Sequence, residues 1–161
     1  MYECDNSVNY TDPSIIIRSV IEPDFEQWLP LWHGYNVFYN RISFPMEITK
    51  TTWSRFLDVN EPVHALVAEK DGQLIGLANY LFHRSTTQIN HVCYLQDLFT
   101  SEAVRGHGVG RLLIATVYKK AKKAGAPKVY WQTQENNVVA RALYDKMATM
   151  SGFIVYNKPI E

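Results

Sequence analysis

Cysteine is scarce in this chain, with only Cys4 and Cys93 among 161 residues. Two thiols so far apart make neither a disulfide framework nor a metal-binding knuckle, and both are expected free in a reducing compartment. An excess of charge is also missing, because sixteen Lys and Arg balance sixteen Asp and Glu. A chain without a net field does not recruit nucleic acid or an anionic membrane surface, so attraction to a polyanion must be local. No apolar run reaches the length of a membrane span, and the acidic, asparagine-containing start does not read as a secretory signal. These absences predict a cytoplasmic protein with neither nucleic acid nor membrane as partner.

What is present suits a globular unit. Hydrophobic residues make up 47% and charged residues 20% of the chain, ordinary values for a protein with a packed core. The length suits one such core, so residues 14–161 are expected as a single domain behind a loose polar tail at 1–13. Along it, Ile15 to Val20 reads as a strand. Glu22-Pro23-Asp24 then opens a helix whose Phe25, Trp28, Leu29, Trp32, Tyr35 and Tyr39 recur at helical spacing, with Pro30 expected to kink or divide it. A second helix is expected over 50–57. Residues 62–70 and 73–82 read as strands joined at Asp71-Gly72, a hairpin signal. A strand over 91–100 leads through a glycine turn to a helix from Val109 that Gly125 stops. A strand over 128–133, a helix from Asn137 to about Met147 and a last strand over 153–158 complete the chain. The order predicts an α/β (α+β) fold, a mixed and mostly antiparallel sheet flanked by helices, with a right-handed crossover between residues 91 and 133.

The glycine turn carries the chemistry. Gly106, Gly108 and Gly110 allow close approach of backbone to ligand, and the helix that follows adds the positive end of its dipole, which together make an anion receptor. A P-loop is excluded, because Arg111-Leu112 stands where Lys-Ser/Thr is required. A dinucleotide fingerprint is excluded as well, since several loop residues separate strand from glycines and position 113 is Leu113. What remains is R-x-x-G-x-G, built from Arg105, Gly108 and Gly110.

That motif resembles the R/Q-x-x-G-x-G/A signature of the GCN5-related N-acetyltransferases (GNAT). The family's second signature, N-x-x-A-x-x-L-Y, is matched by Asn137, Ala140, Leu143 and Tyr144. The resemblance spans roughly residues 15–158, with its diagnostic part at 94–153. Within the family, Tyr94 to Phe99 is most similar to polyamine and thialysine acetyltransferases, and residues 28–39 resemble a fungal group acting on histones and D-amino acids. The resemblance implies the acyl-CoA N-acyltransferase fold, with acetyl-CoA as cosubstrate and no metal. Backbone groups of Leu98, Phe99 and Thr100 would lie along the pantetheine arm. Arg105, Gly106, His107, Gly108, Val109, Gly110 and Arg111 would hold the pyrophosphate, and Asn137 and Tyr144 would complete the cofactor site. An oriented amide nest needs no lysine to bind an anion. Dimers are common in the family, so a homodimer is expected by analogy.

The reaction needs a neutral amine, and an alkylammonium of pKa ~10.4 is roughly 99.9% protonated at pH 7. Tyr144 matches the family's acid, a phenol suited to protonate the departing thiolate. The base is open. An acidic residue stands in the polyamine branch where this chain has Gln96, and glutamine takes no proton. Asp97 is adjacent but points to the opposite face unless a bulge resets the parity. Glu135 is a further candidate, and Gln96 itself would orient a water or the amine. Neither cysteine sits beside a recognisable base, which argues for direct attack in a ternary complex rather than an acetyl-enzyme.

Other features have plainer readings. The aromatic stripe from Trp28 to Tyr39 is expected in the core, with its rim walling the acceptor pocket. His83 and His91 lack partners at metal-ligand spacing. The basic run Lys119 to Lys123 suits an exposed helix end. Residues 147–151 lengthen the segment between Leu-Tyr and Gly152-Phe153 beyond the family pattern. The expected acceptor is the primary amine of a small molecule such as a polyamine, an amino acid or a related metabolite. The alternatives are a protein or histone lysine, or a non-catalytic acyl-CoA-binding domain.

Overall fold

The computed structural model describes residues 12–160, so most of the expected tail, residues 1–11, lies outside the described residues. The contacts gather into two compact units, one ending at Trp131 and the other beginning at Gln132. The first contains β1 (Ile16–Ser19), α1 (Phe25–Phe38), α2 (Met46–Leu57), β2 (Val63–Lys70), β3 (Gln73–His83), β4 (Val92–Thr100), α3 (Val109–Lys123) and β5 (Val129–Tyr130). Its five strands form one sheet in chain order. The first three pairings are antiparallel and β4–β5 is parallel, so α3 is the crossover.

Alternation along the strands gives the sheet two apolar faces, which helices cover. Ala65, Val67, Leu74 and Leu77 join Trp28, Leu31, Trp32, Tyr35 and Trp53 from α1 and α2 in one core cluster. Stacking runs along α1, with Trp28 and Trp32 ring centroids 5.4 Å apart and Trp32 and Tyr35 also 5.4 Å apart. Elsewhere on the sheet Gly76 admits α3: a Cβ there would meet the Phe99 carbonyl oxygen at 3.0 Å and Val109 and Leu113 at 3.3 Å. The first turn of α3 is thereby held close to the end of β4.

Several sequence expectations are corrected. Helix α1 runs through Pro30 without division. Pro30 is exposed, and the buried stripe opposite it outweighs the lost hydrogen bond. Helix α2 starts at Met46, four residues earlier than expected, with Pro45 at φ −62° supplying an extended N-cap. Strand β5 is only Val129–Tyr130. In the second unit, α4 is confined to Val138–Tyr144. The strand expected over 153–158 does not form: Phe153, Ile154, Val155 and Tyr156 are exposed and belong to no strand. Their β-branched and aromatic composition gives the propensity but no sheet edge meets it within that unit, and propensity without a partner does not make a strand.

Candidate active site

Strand β4 changes character half-way along. β5 accompanies it only at Cys93 and Tyr94, so beyond Tyr94 it has β3 alone as strand partner among the described residues. The pairing with β3 also slips there: Asn79 faces Asp97, whereas Tyr80 faces Leu95, which leaves Gln96 as the extra residue of a β-bulge. The bulge resets the alternation. Leu95 and Asp97 are both buried while Gln96 is exposed, so the side chain turned inward is that of the aspartate.

Asp97 is 6% exposed and Asn79 only 2%. The Asn79 Nδ2 donates to Asp97 Oδ2 at 3.0 Å, and the neighbouring Tyr35 hydroxyl also favours the ionised carboxylate. Desolvation nonetheless dominates, pushing the Asp97 carboxyl above the ordinary carboxylate range despite those donors and the nearby Arg41 charge. Tyr35 is in turn held far above the ordinary phenol value, first by burial and then by the adjacent Asp97 charge. Asn79 Oδ1 has no hydrogen-bond partner although it is buried. A buried acceptor left unsatisfied beside a carboxyl is costly, and it marks a place where an N–H or a water belongs.

The glycine turn follows a single 3-10 turn at Glu102–Val104. Gly106 and Gly108 adopt φ of +82° and +80°, which side chains rarely tolerate. Gly108 is the N-cap of α3 and contributes no side-chain cap. Its carbonyl accepts from Leu112 N–H at 3.0 Å, so the amides of Val109, Gly110 and Arg111 stand at the open helix start. This arrangement receives an anion through main chain and dipole. Arg105 lies over the Phe99 ring at 5.9 Å, tying the turn to the end of β4. Leu98, Phe99 and Thr100 are half-buried, whereas Arg105, Gly106 and His107 are exposed.

In the second unit, Asn137 caps α4: its side chain accepts from Ala140 N–H at 3.4 Å and donates to Thr133 Oγ1 at 3.1 Å. Tyr144 is the last residue of α4 and is half-buried. Glu135 is exposed, and its carbonyl accepts from Arg141 at 2.7 Å. Of the two base candidates, Asp97 is buried and Glu135 is exposed.

Residues 23–148 match the model of the Acetyltransferase (GNAT) family. The chain belongs to this family. It is 35% identical over 146 residues to D-amino-acid N-acetyltransferase HPA3 of Saccharomyces cerevisiae, covering 89% of this chain and 90% of the relative. It is 28% identical to the uncharacterized N-acetyltransferase YhfO of Bacillus subtilis, covering 87% and 94% respectively. Its fold matches an aminoglycoside acetyltransferase from an uncultured soil metagenomic sample, with a TM-score of 0.81 and 14% identity over 93% of this chain and 99% of that one. The aminoglycoside N-acetyltransferase AAC(6')-Iy in complex with CoA matches with a TM-score of 0.76 and 19% identity over 91% and 95%. As a GNAT acetyltransferase this chain is an N-acetyltransferase, with acetyl-CoA as its acetyl donor. None of the described helices is long and apolar enough to cross a membrane.

Asn79, Tyr39 and Arg41 were not singled out as site residues by the sequence. A signal existed for Asn79, a lone amide inside the apolar run Leu77 to Phe82. Tyr35 and Tyr39 were legible only as members of the aromatic stripe. Arg41 had no such mark.

Proposed function

We propose that this GNAT acetyltransferase acetylates the primary amine of a small molecule, such as a polyamine, an amino acid or a related metabolite, by direct attack in a ternary complex. The observation that carries this reading is the buried Asp97 carboxyl at the β4 bulge. A protonated amine must lose a proton before it attacks, which costs about 4–5 kcal/mol at pH 7 for an ordinary alkylammonium. A carboxyl whose proton affinity is raised by burial lowers that cost as a general base. The yeast relative named for D-amino acids supports a small acceptor.

Acetyl-CoA supplies an activated acyl group as a thioester. The turn from Arg105 to Arg111, with its left-handed glycines and open amides, suits the pyrophosphate, and the edge of β4 at Leu98, Phe99 and Thr100 suits the amide-bearing arm. Asp97 takes the proton of the ammonium, directly or through a water. The amine nitrogen then bonds to the acyl carbon, the carbon–sulfur bond breaks, and Tyr144 gives its proton to the sulfur; the nitrogen sheds its second proton to solvent as the amide forms, and solvent restores the Tyr144 phenol. Gln96, exposed on the bulge, orients the incoming amine or its water. Asn137 shapes the turn that carries Tyr144.

Thiol release from acetyl-CoA across a panel of amines tests the reading. Saturable turnover on one or more small amines is expected. Saturable acetyl-CoA binding with no turnover on any of them, or faster acetylation of a lysine peptide than of every small amine, overturns it.

A further inference from the structure

The end of α1 holds a cation in an unusual way. Asn40 adopts φ of +59°, the left-handed region, without being glycine. Its N–H donates to Val37 oxygen at 2.9 Å and that of Arg41 donates to Asn36 oxygen at 2.9 Å. Those two bonds are a Schellman cap, which reverses the chain so that Arg41 folds back along its own helix. The guanidinium lies 5.9 Å from the Tyr35 ring centroid and 5.6 Å from that of Tyr39, within the range of cation–π attraction. Nη1 also reaches Asn36 Oδ1 at 3.4 Å. Asn36 is buried and fixed, its Nδ2 donating to Trp32 oxygen at 2.9 Å.

No described carboxylate lies within ion-pair distance of Arg41, although Lys70 and Arg105 each have one and Arg18 has two. An arginine fixed on two aromatic faces, with Nη1 on Asn36 and no carboxylate in ion-pair contact, keeps its remaining guanidinium N–H groups available to an anion. The connection to the chemistry runs through one side chain. Arg41 lies over the Tyr35 ring, and the Tyr35 phenol stands close enough to Asp97 for the carboxylate charge to help hold its proton on. A positive fork and the amine-facing carboxyl therefore stand on the same tyrosine. A molecule bearing an amine and a carboxylate complements that pair, whereas a polyamine brings a second cation to Arg41 and is repelled.

We infer that Arg41 anchors a carboxylate of the acceptor, so that amino acids are selected over carboxylate-free amines. This rests on the small-amine reading above and narrows it to one substrate class.

The test compares α-amino acids of both hands with their carboxamides, which keep the amine and remove the anion, using the full chain at saturating acetyl-CoA. The acid is expected to show the lower KM, and Arg41→Gln is expected to lower the acid-to-amide ratio of kcat/KM roughly tenfold or more through KM. The differing basicity of the two amines cancels between parent and variant. Arg41→Lys, which keeps the charge but not the fork, should restore part of the ratio. Acetyl-CoA affinity serves as the control for folding. A ratio unmoved in Arg41→Gln, or turnover of polyamines with none of amino acids, overturns the inference while leaving the small-amine reading intact. Absence of thiol release with every amine tested overturns that reading instead.

Discussion

The two halves of β4 are one continuous strand built for different purposes. From Val92 to Leu95 it is apolar and buried apart from the half-buried Tyr94, and β5 joins it at Cys93 and Tyr94. From Gln96 to Thr100 it has shed that neighbour, gained a bulge and turned a carboxylate inward. The first half is stabilised by burial and by strand pairing on both sides, and burial pushes the Cys93 thiol up to about 12, which makes it inert as a nucleophile. The second half buries charge at a cost and leaves backbone unpaired. Adjacent segments of the same strand thus separate holding the fold from performing the reaction, and the bulge at Gln96 is the border.

Breaking the functional half should have the largest effect. Asp97→Asn is expected to lower kcat by roughly 100-fold or more, the range of a lost general base, with acetyl-CoA affinity nearly unchanged by calorimetry. The same variant sharpens the contrast through stability. Burial raises the proton affinity of Asp97 in the folded state, so its contribution is full below the unfolded pKa and is lost as pH rises through the folded value. Asp97→Asn should therefore raise Tm relative to the parent at pH 7 and do so less at pH 4. Equal shifts at both pH values would mean that the carboxyl is not desolvated.

Gly108→Val should come next, because valine is strained at φ +80° and blocks the amides; acetyl-CoA binding is expected to weaken by about 100-fold. Unchanged affinity would remove the turn from the donor site. In the structural half, Leu95→Ala should cost about 2–4 kcal/mol in denaturant unfolding while kcat per folded molecule stays near that of the parent. Loss of kcat without loss of stability would erase the border drawn at the bulge. Gln96→Ala should change kcat by only about twofold, as expected of an exposed polar side chain. A drop as large as that of Asp97→Asn would move the essential role onto the bulge residue itself.

Much of this was legible in the sequence because it rests on local rules. Gly125 announced the end of α3, and there the same Schellman bonds appear, Gly125 to Lys122 and Ala126 to Ala121, both at 3.0 Å. The matching cap at Asn40 was missed, since asparagine enters the left-handed region less often than glycine and gives no such cue. The glycine turn was read from its spacing. The parity of Asp97 was not, because a bulge is decided by how β3 pairs across from it. Phe153 to Lys158 failed in the opposite direction: local composition favoured a strand, and strand formation depends on a partner that composition does not supply.

Gly34, in the middle of α1, has a consequence for how this chain can change over time. A Cβ there would lie 2.7 Å from Cζ of Phe99, so the helix accepts its poorest ordinary former, at about 1 kcal/mol, to seat one ring at the end of β4. Residues 34 and 99 are thus coupled: a descendant that enlarges the first must swing the Phe99 ring aside or shrink it.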